Sequence, residues 1–398
     1  MGGQHGAPRH PRQSRAAAAG YKGAVAGHWI GGREVPGSGA GRFEARGASG
    51  ALEAWPRACR SDLDGALEAA GGSGARAWLE LPAGARRRAV ACAVGALARQ
   101  PLGYGTETPL EARFDVWVRA QFVELARQLE APPAFGALGP PEPARGARGT
   151  RGTPSAAVCL GHSAQGPVAL VERVASALAA GWPVVLLADE HPPGPAAALA
   201  RAAADLPPGA LAVLHGGLAL ASEALATGVG AVFGAAPSAS TRALRTAARA
   251  AGARWVDVEE SAGRVEVLGA ATEPASAAEG LLETAFGAAT LGGQLAGGVV
   301  AARIAARVYG PLVDELLARV DRNPERLLLP PPLDPGAPAA LAARIRRALD
   351  EGATLVVGDL PAGRGRAHFG PAILVNAELA PGVMAECSPL PVLLLARG

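Results

Sequence analysis

The chain has 398 residues, 49% of them hydrophobic, and a formal net charge of +3. This length exceeds one ordinary hydrophobic core, so we expect two domains. Gly, Pro or a charged residue interrupts every apolar run before the roughly 20 residues that a bilayer span needs, and the arginines are scattered. These features argue against a membrane protein and against a nucleic-acid-binding protein.

The four cysteines are Cys59, Cys92, Cys159 and Cys387, and no two of them have CxxC spacing. This pattern predicts neither a zinc site nor a disulfide framework, so we expect no bound metal and a reducing, cytoplasmic setting. Residues 1–26 contain Arg9, Arg12 and Arg15 near the start with no acid among the first 20. A transit peptide is one interpretation, but Gly and Pro interrupt an amphipathic helix, so a disordered leader is favoured.

Turn-forming glycines in residues 27–43 predict a short hairpin, followed by three helical stretches. Pro82 begins one stretch. A longer one carries an apolar stripe at helical spacing that predicts core packing and consists of Phe114, Trp117, Val118, Phe122, Leu125 and Leu129.

Residues 131–154 are rich in Pro, Gly and Arg without periodicity, which indicates a mobile loop or linker. Arg145, Arg148 and Arg151 raise the alternative of nucleic-acid binding. A solvated loop is favoured, because aromatic residues are few and charge is not concentrated elsewhere.

Between residues 156 and 258, apolar runs alternate with helix-like segments, and the runs are 156–160, 184–188, 211–214, 229–233 and 254–258. Runs of this kind are typical of strands buried on both faces. Their alternation with helices predicts a doubly wound parallel sheet of Rossmann type, which binds ligands beyond the carboxyl ends of its strands. We assign residues 27–270 to this dinucleotide-binding-type domain.

A second α/β domain of catalytic type is predicted over residues 271–398, with helices near 279–290, 310–320 and 338–350 and strands near 299–304, 353–357, 372–375 and 391–396. The sequence ends directly after an apolar strand. We therefore expect an incomplete domain, truncated at its C-terminal end, with an exposed sheet edge.

Four motifs resemble the aldehyde dehydrogenase superfamily in order and spacing. They are ASALAAGWPVVLLADE (175–190), DLPPGALAVLHG (205–216), GGQLAGG (292–298) and GPAILVNAELAPGVMAECSPLPV (370–392). The resemblance runs from about Gly27 to the last residue and implies that fold. Members without a nucleophile occur among two-module forms of the family 16 type, which this chain resembles most.

The resemblance implies which residues stand at the catalytic positions. Ala296 occupies the position of the nucleophilic cysteine, and the match of Tyr309 supports this alignment. A methyl group cannot attack an aldehyde. Ala164 occupies the position of the amide that stabilises the oxyanion. Glu259 matches the general base, although a solvated charge at a strand end is the favoured interpretation.

The cofactor positions are also altered. Leu187 stands where the family has the lysine that binds the adenosine ribose, while Glu190 is retained. Ala236 and Pro237 replace the pyrophosphate turn, and proline removes an N–H donor. Cys387 replaces the glutamate that binds the nicotinamide ribose. The resemblance therefore implies no tightly bound cofactor, and NAD(P) if any. Cys387 itself is interpreted as a packing residue and not as a displaced nucleophile.

Together these substitutions predict a catalytically inactive homologue, a pseudoenzyme that acts through contacts with a protein partner or through self-association. The alternative is an NAD(P)-dependent oxidoreductase that acts on an aldehyde or oxo group, which would rest on Glu259 and the intact framework.

Overall fold

The computed structural model describes residues 27–46, 52–104, 108–131, 156–235, 239–258, 264–334, 336–359, 370–379 and 389–398. The predicted leader at 1–26 and nearly all of the predicted linker at 131–154 lie outside these residues.

The strands of the described part of the chain are β1 (His28–Ile30), β2 (Arg33–Val35), β3 (Arg42–Arg46), β4 (Leu52–Pro56), β5 (Ala157–Gly161), β6 (Val184–Ala188), β7 (Leu211–His215), β8 (Ala231–Ala235), β9 (Arg254–Val258), β10 (Arg264–Leu268), β11 (Val299–Ile304), β12 (Thr354–Val357), β13 (Ala372–Val375) and β14 (Val392–Arg397). The α-helices are α1 (Arg60–Gly71), α2 (Ser73–Glu80), α3 (Ala83–Leu97), α4 (Pro109–Glu130), α5 (Gly166–Ala179), α6 (Gly194–Ala202), α7 (Ala221–Ala226), α8 (Ala239–Ala250), α9 (Pro274–Phe286), α10 (Ala306–Arg322) and α11 (Ala337–Asp350).

The first sheet has seven strands in the order β2-β1-β7-β6-β5-β8-β9. Strands β7, β6, β5, β8 and β9 are parallel, and β1 pairs antiparallel with both β7 and β2. The predicted doubly wound α/β architecture is confirmed. Because β6 and β7 extend the sheet to one side of β5 while β8 and β9 extend it to the other, the strand order reverses between β5 and β8.

Helices cover both faces of this sheet. Buried side chains of α3, α4, α5 and α6 form one apolar cluster, and those of α1, α7 and α8 form another on the opposite face. Thr108 and Glu111 cap the start of α4 reciprocally. Three helical stretches were expected before the linker, whereas the structure has four helices there. Extended backbone at Gly72 separates α1 from α2.

The second sheet has the order β10-β11-β14-β13-β12, and only β12 runs antiparallel to its neighbour. Helices α9 and α10 pack on one face and α11 on the other. Strand β10 belongs to this sheet, although the predicted boundary at residue 270 places it in the first domain. The last strand, β14, is paired on both sides, and the outer strands of this sheet among the described residues are β10 and β12.

Strands β3 and β4 form a separate antiparallel hairpin that sequence analysis missed. Within the described ranges, no helix is both long enough and apolar enough to cross a membrane.

Two buried histidines join the N-terminal hairpin to the first sheet. His28 and His215 are 0% and 1% exposed, and the backbone N–H of His215 donates to Nδ1 of His28 over 3.2 Å. Burial, together with the nearby His28 and Arg201, lowers the pKa of His215 to about 3. Burial also lowers the pKa of His28, although the carboxylate of Asp62 opposes the shift. Both rings are therefore neutral in the folded protein near neutral pH.

This arrangement predicts a loss of stability in mild acid. The unfolded chain takes up protons below the ordinary histidine pKa of 6.5, while folded His215 does not until the pH approaches about 3. The free energy of unfolding is therefore highest above pH 6.5 and falls by about 2 kcal/mol between there and about pH 5 through His215 alone. Urea titrations at several pH values measure this slope.

The control is a variant without the buried ring, since His215→Gln is expected to flatten the acid slope. Equal slopes for His215→Gln and the unmodified chain would contradict the assignment.

Candidate functional site

The candidate site lies at the carboxyl end of β5, where the strand order of the first sheet reverses. Doubly wound sheets bind ligands at such points, because two neighbouring loops diverge there. Ala164 follows β5, and Glu190 follows β6. The other predicted positions, Ala236, Pro237, Glu259 and Cys387, lie outside the described residues.

The loop that carries Ala296 has an unusual backbone. Leu291, Gly292, Gly293 and Gly297 have positive φ values of 47°, 72°, 86° and 92°. Glycine adopts this region without strain because it lacks a Cβ atom. A Cβ on Gly293 would lie 2.9 Å from Cα of Pro391 and 3.0 Å from the carbonyl oxygen of Ala285. Glycine at 293 is thus required for the close approach of this loop to Pro391 and Ala285 within the second domain.

Gln294 holds this loop in place. Its side chain is buried, its Nε2 donates to the carbonyl of Pro330 over 3.2 Å, and its Oε1 accepts from the backbone N–H of Leu333 over 2.8 Å. Gln294 therefore has a structural role that does not depend on any nucleophile.

The structure brings together Ala296 and Ala164, the residues that the resemblance assigns to the nucleophile and oxyanion-donor positions. The backbone N–H of Ala296 donates to the carbonyl oxygen of Ala164 over 2.7 Å. Backbone N–H groups beside a nucleophile commonly stabilise an oxyanion, but this donor is already used within the protein. With an alanine side chain at each position, neither a nucleophile nor a side-chain oxyanion donor is available from these two residues.

A cavity of ≈260 Å³ lies beside Ala296. Its lining is mostly apolar and includes Trp117, Pro167, Val168 and Leu295. Glu172 is the only ionisable side chain of the lining among the described residues. The cavity is large enough for a small organic molecule, but it presents one carboxylate where covalent chemistry needs an activated nucleophile.

No cysteine of the described part of the chain lines this cavity. Cys159 is fully buried in β5, and burial raises the pKa of its thiol to about 12, so it stays protonated. Cys59 lies at the start of α1, and Cys92 lies in α3. The described residues also contain no cluster of three metal-binding side chains.

The buried Arg173 of α5 fixes the segment around Ala164. Its guanidinium donates to the carbonyl of Leu160 over 2.5 Å and to Oε1 of Gln165 over 2.6 Å. This charge-assisted pairing ties the end of β5 to the start of α5. Arg173 therefore fixes the backbone on both sides of Ala164, including the turn that carries its carbonyl group.

Leu187 does not face a ligand. It is 0% exposed and packs in the apolar cluster beneath α1 and α7, with Leu160 and Leu214 beside it on the neighbouring strands. A lysine here would place an ammonium in the core. Leu187 is thus part of the packing of the sheet.

Glu190 is paired within the protein. Its carboxylate accepts from Nε of Arg57 over 2.8 Å and from Nη2 over 2.9 Å, and the two side chains are 31% and 50% exposed. A bidentate pair occupies both carboxylate oxygens. Because the pair is partly solvated, its contribution to stability is small, but a ribose hydroxyl must compete with Arg57 for Glu190.

Sequence reasoning missed three of these residues. Trp117 was assigned wholly to the core, whereas it is partly buried and lines the cavity. The other residues of its stripe are buried as expected. Glu172 and Arg57 could not be assigned to the site from the sequence, because each is a single charged residue outside any motif.

No protein-family model and no curated protein matches the sequence. Solved structures match over 94% of the chain. An NAD-dependent aldehyde dehydrogenase from Sinorhizobium meliloti matches with a TM-score of 0.72, 17% identity and 78% of its own length covered. A salicylaldehyde dehydrogenase from Pseudomonas putida G7, complexed with salicylaldehyde, gives 0.71, 17% and 80%, and a lactaldehyde dehydrogenase from Escherichia coli gives 0.71, 17% and 82%. The chain thus has the aldehyde dehydrogenase fold.

The loop geometry predicts that alanine lowers the free energy of unfolding much more at position 293 than at position 297. Gly293→Ala combines a positive φ with contacts to backbone atoms, so it lowers the free energy of unfolding by at least about 3 kcal/mol. Gly297→Ala has the same backbone strain but meets nothing within 4 Å, so it costs about 1 kcal/mol. Denaturant titration of both variants measures the gap, and equal losses would show that the loop is not packed as described.

Proposed function

We propose that this chain is a catalytically silent homologue of the aldehyde dehydrogenases, of the family 16 type, that acts through protein contacts. The observation that carries the proposal is the hydrogen bond from the N–H of Ala296 to the carbonyl of Ala164. It joins the two positions that the resemblance assigns to the nucleophile and the oxyanion donor, and both residues are alanines.

The energetic consequence is large. Loss of a nucleophile costs about 10⁶ in turnover in a well-studied hydrolase, and loss of one oxyanion donor costs about 3 kcal/mol of transition-state stabilisation. Activity at this site would need a nucleophile and an oxyanion donor from elsewhere, and Glu172 is the one ionisable group that the described residues contribute to the cavity lining.

We further propose that a dinucleotide binds weakly. Leu187 offers no donor, and Glu190 is paired with Arg57. Each lost charge-assisted hydrogen bond weakens binding by roughly 1.5 to 3 kcal/mol. Two such losses correspond to a hundredfold or more in affinity.

The competing candidate is an NAD(P)-dependent oxidoreductase. The cavity beside Ala296 favours it, because the pocket is still open and Glu172 places a carboxylate there that can move a proton. This candidate requires aldehyde turnover without a covalent intermediate on Ala296.

The first test is an activity assay of the purified chain. With NAD or NADP and with salicylaldehyde or lactaldehyde as substrate, we expect no reduced cofactor above background. Ala296→Cys restores a thiol at the cavity but is expected to remain inactive, because its backbone N–H is bonded to Ala164 and no oxyanion donor is restored. Ala169→Cys is the matched control, since residue 169 lines the same cavity.

A thiol-labelling measurement on both cysteine variants verifies that the new side chains are accessible. Turnover by the unmodified chain that is abolished by Glu172→Gln would favour the oxidoreductase candidate instead.

The second test is calorimetric titration with NAD. We expect a dissociation constant at least about a hundredfold higher than that of the Sinorhizobium meliloti NAD-dependent enzyme measured in parallel. Glu190→Ala leaves the heat of titration unchanged, because Arg57 already occupies the carboxylate. Binding that is tight and that weakens in Glu190→Ala would overturn the expectation.

A further inference from the structure

A second cavity, of ≈220 Å³, lies apart from the one beside Ala296. Its walls come from the β3–β4 hairpin, the start of α4, the loop after β6 and the proline segment 330–333. No described residue lines both cavities. This proline-walled cavity is therefore separate from the candidate site.

One wall of the proline-walled cavity is apolar and held in place. It is formed by Pro330, Pro331, Pro332 and Leu333. Gln294 bonds to both ends of this segment, since its Nε2 donates to the carbonyl of Pro330 and its Oε1 accepts from the N–H of Leu333. Each proline ring also restricts the backbone angle φ. The wall is therefore formed before a ligand binds, as in most small-molecule sites.

Another part of the wall carries a buried carboxylate. Glu111 is only 2% exposed. Its Oε2 accepts from the backbone N–H of Thr108 over 2.8 Å, as part of the cap of α4. Its other oxygen, Oε1, accepts no hydrogen bond from the described residues, and none of them forms an ion pair with Glu111. A buried charge with an unused acceptor is costly, so a hydrogen-bond donor on a ligand would stabilise it.

A buried hydroxyl reaches the cavity beside this carboxylate. Tyr104 is 8% exposed, and its hydroxyl makes no hydrogen bond with the residues that the structure describes. Its ring packs edge-on against Phe114, with ring centroids 4.9 Å apart. Glu111 and Phe114 are three positions apart in α4 and so lie on one face of the helix. Tyr104 and Glu111 therefore line the same part of the wall.

The charge of the lining favours a cation over an anion. Among the described residues of the lining, Glu44 and Glu111 are carboxylates and Arg46 is the one guanidinium. Arg46 is already engaged within the protein, and the ring of His191 packs edge-on against Phe43. An anion would be repelled by the carboxylate of Glu111, whose burial leaves its charge poorly screened. An ammonium group would instead be attracted to it.

We propose that the proline-walled cavity binds a small organic amine in its ammonium form. The ammonium group donates to Oε1 of Glu111 and to the hydroxyl oxygen of Tyr104, which can accept. The hydrocarbon part of the ligand packs against the proline segment. The cavity is smaller than the roughly 300 to 1,000 Å³ of pockets for drug-sized ligands, so the ligand is small. This site goes beyond the proposed silent function, because it does not involve Ala296.

Calorimetric titration of the full chain with three probes of similar shape tests the proposal. The probes are cyclohexylamine, cyclohexanol and cyclohexanecarboxylate. We expect the amine to bind, and we expect the dissociation constant of the alcohol to be about tenfold higher or more, because it lacks the charge-assisted hydrogen bond. The carboxylate is expected to give no heat of binding. Equal affinities for the amine and the alcohol, or no binding of the amine at about 10 mM, would overturn the proposal.

Two conservative variants test the assigned groups. Glu111→Gln removes the charge but keeps the cap of α4, since glutamine also serves at this position of a capping box. It is expected to raise the dissociation constant of cyclohexylamine about tenfold or more. Tyr104→Phe keeps the ring contact with Phe114 and removes one hydrogen bond, so about a three- to tenfold increase is expected. Melting temperatures of both variants verify that they are folded.

Glu172→Gln is the matched control, because it removes a carboxylate from the cavity beside Ala296. Its affinity for cyclohexylamine is expected to equal that of the unmodified chain. The proposal is overturned if Glu111→Gln and Tyr104→Phe both bind the amine unchanged, or if Glu172→Gln weakens binding, which would place the amine beside Ala296. Titration does not depend on turnover, so these outcomes are distinguishable from failure of the proposed silent function, which the activity assay decides.

Discussion

The hydrogen bond between Ala296 and Ala164 is the contact on which the state of the site depends. It joins the catalytic-type loop of the second sheet to the carboxyl end of β5, where a doubly wound sheet places its ligand. The loop can reach this position because glycines at 292 and 293 adopt positive φ and Gln294 fixes the segment around Pro330. The loop thereby lies against the carboxyl end of β5, with Ala296 beside the cavity.

The altered positions do not share one environment. Ala296 faces a cavity, Leu187 is sealed in the core, and Glu190 is partly solvated beside Arg57. Restoring a side chain at each therefore has a different physical consequence. A thiol at 296 fits, a lysine at 187 requires a buried charge, and release of Glu190 requires loss of an ion pair.

Much of the fold could be predicted from the sequence, because buried parallel strands are continuous apolar runs. The runs at 184–188, 299–304 and 372–375 match the strands of the structure, and helices α10 and α11 fall where apolar periodicity places them. The hairpin of β3 and β4 was missed because its five-residue strands carry charged and apolar residues in short alternation. Strand β10 was missed for a similar reason, since RVEVL has no continuous apolar run.

The site was predictable only where a motif carries it. The resemblance assigned Ala296, in GGQLAGG, and Ala164 to the site, but the hydrogen bond between their backbones depends on how two distant loops meet. Glu172, Trp117 and Arg57 belong to no motif, so only the fold assigns them to the site. The edge strands of the second sheet are likewise known only from the fold. Hydrogen bonding on both sides places the apolar strand β14 inside the sheet, so the outer strands among the described residues are β10 and β12.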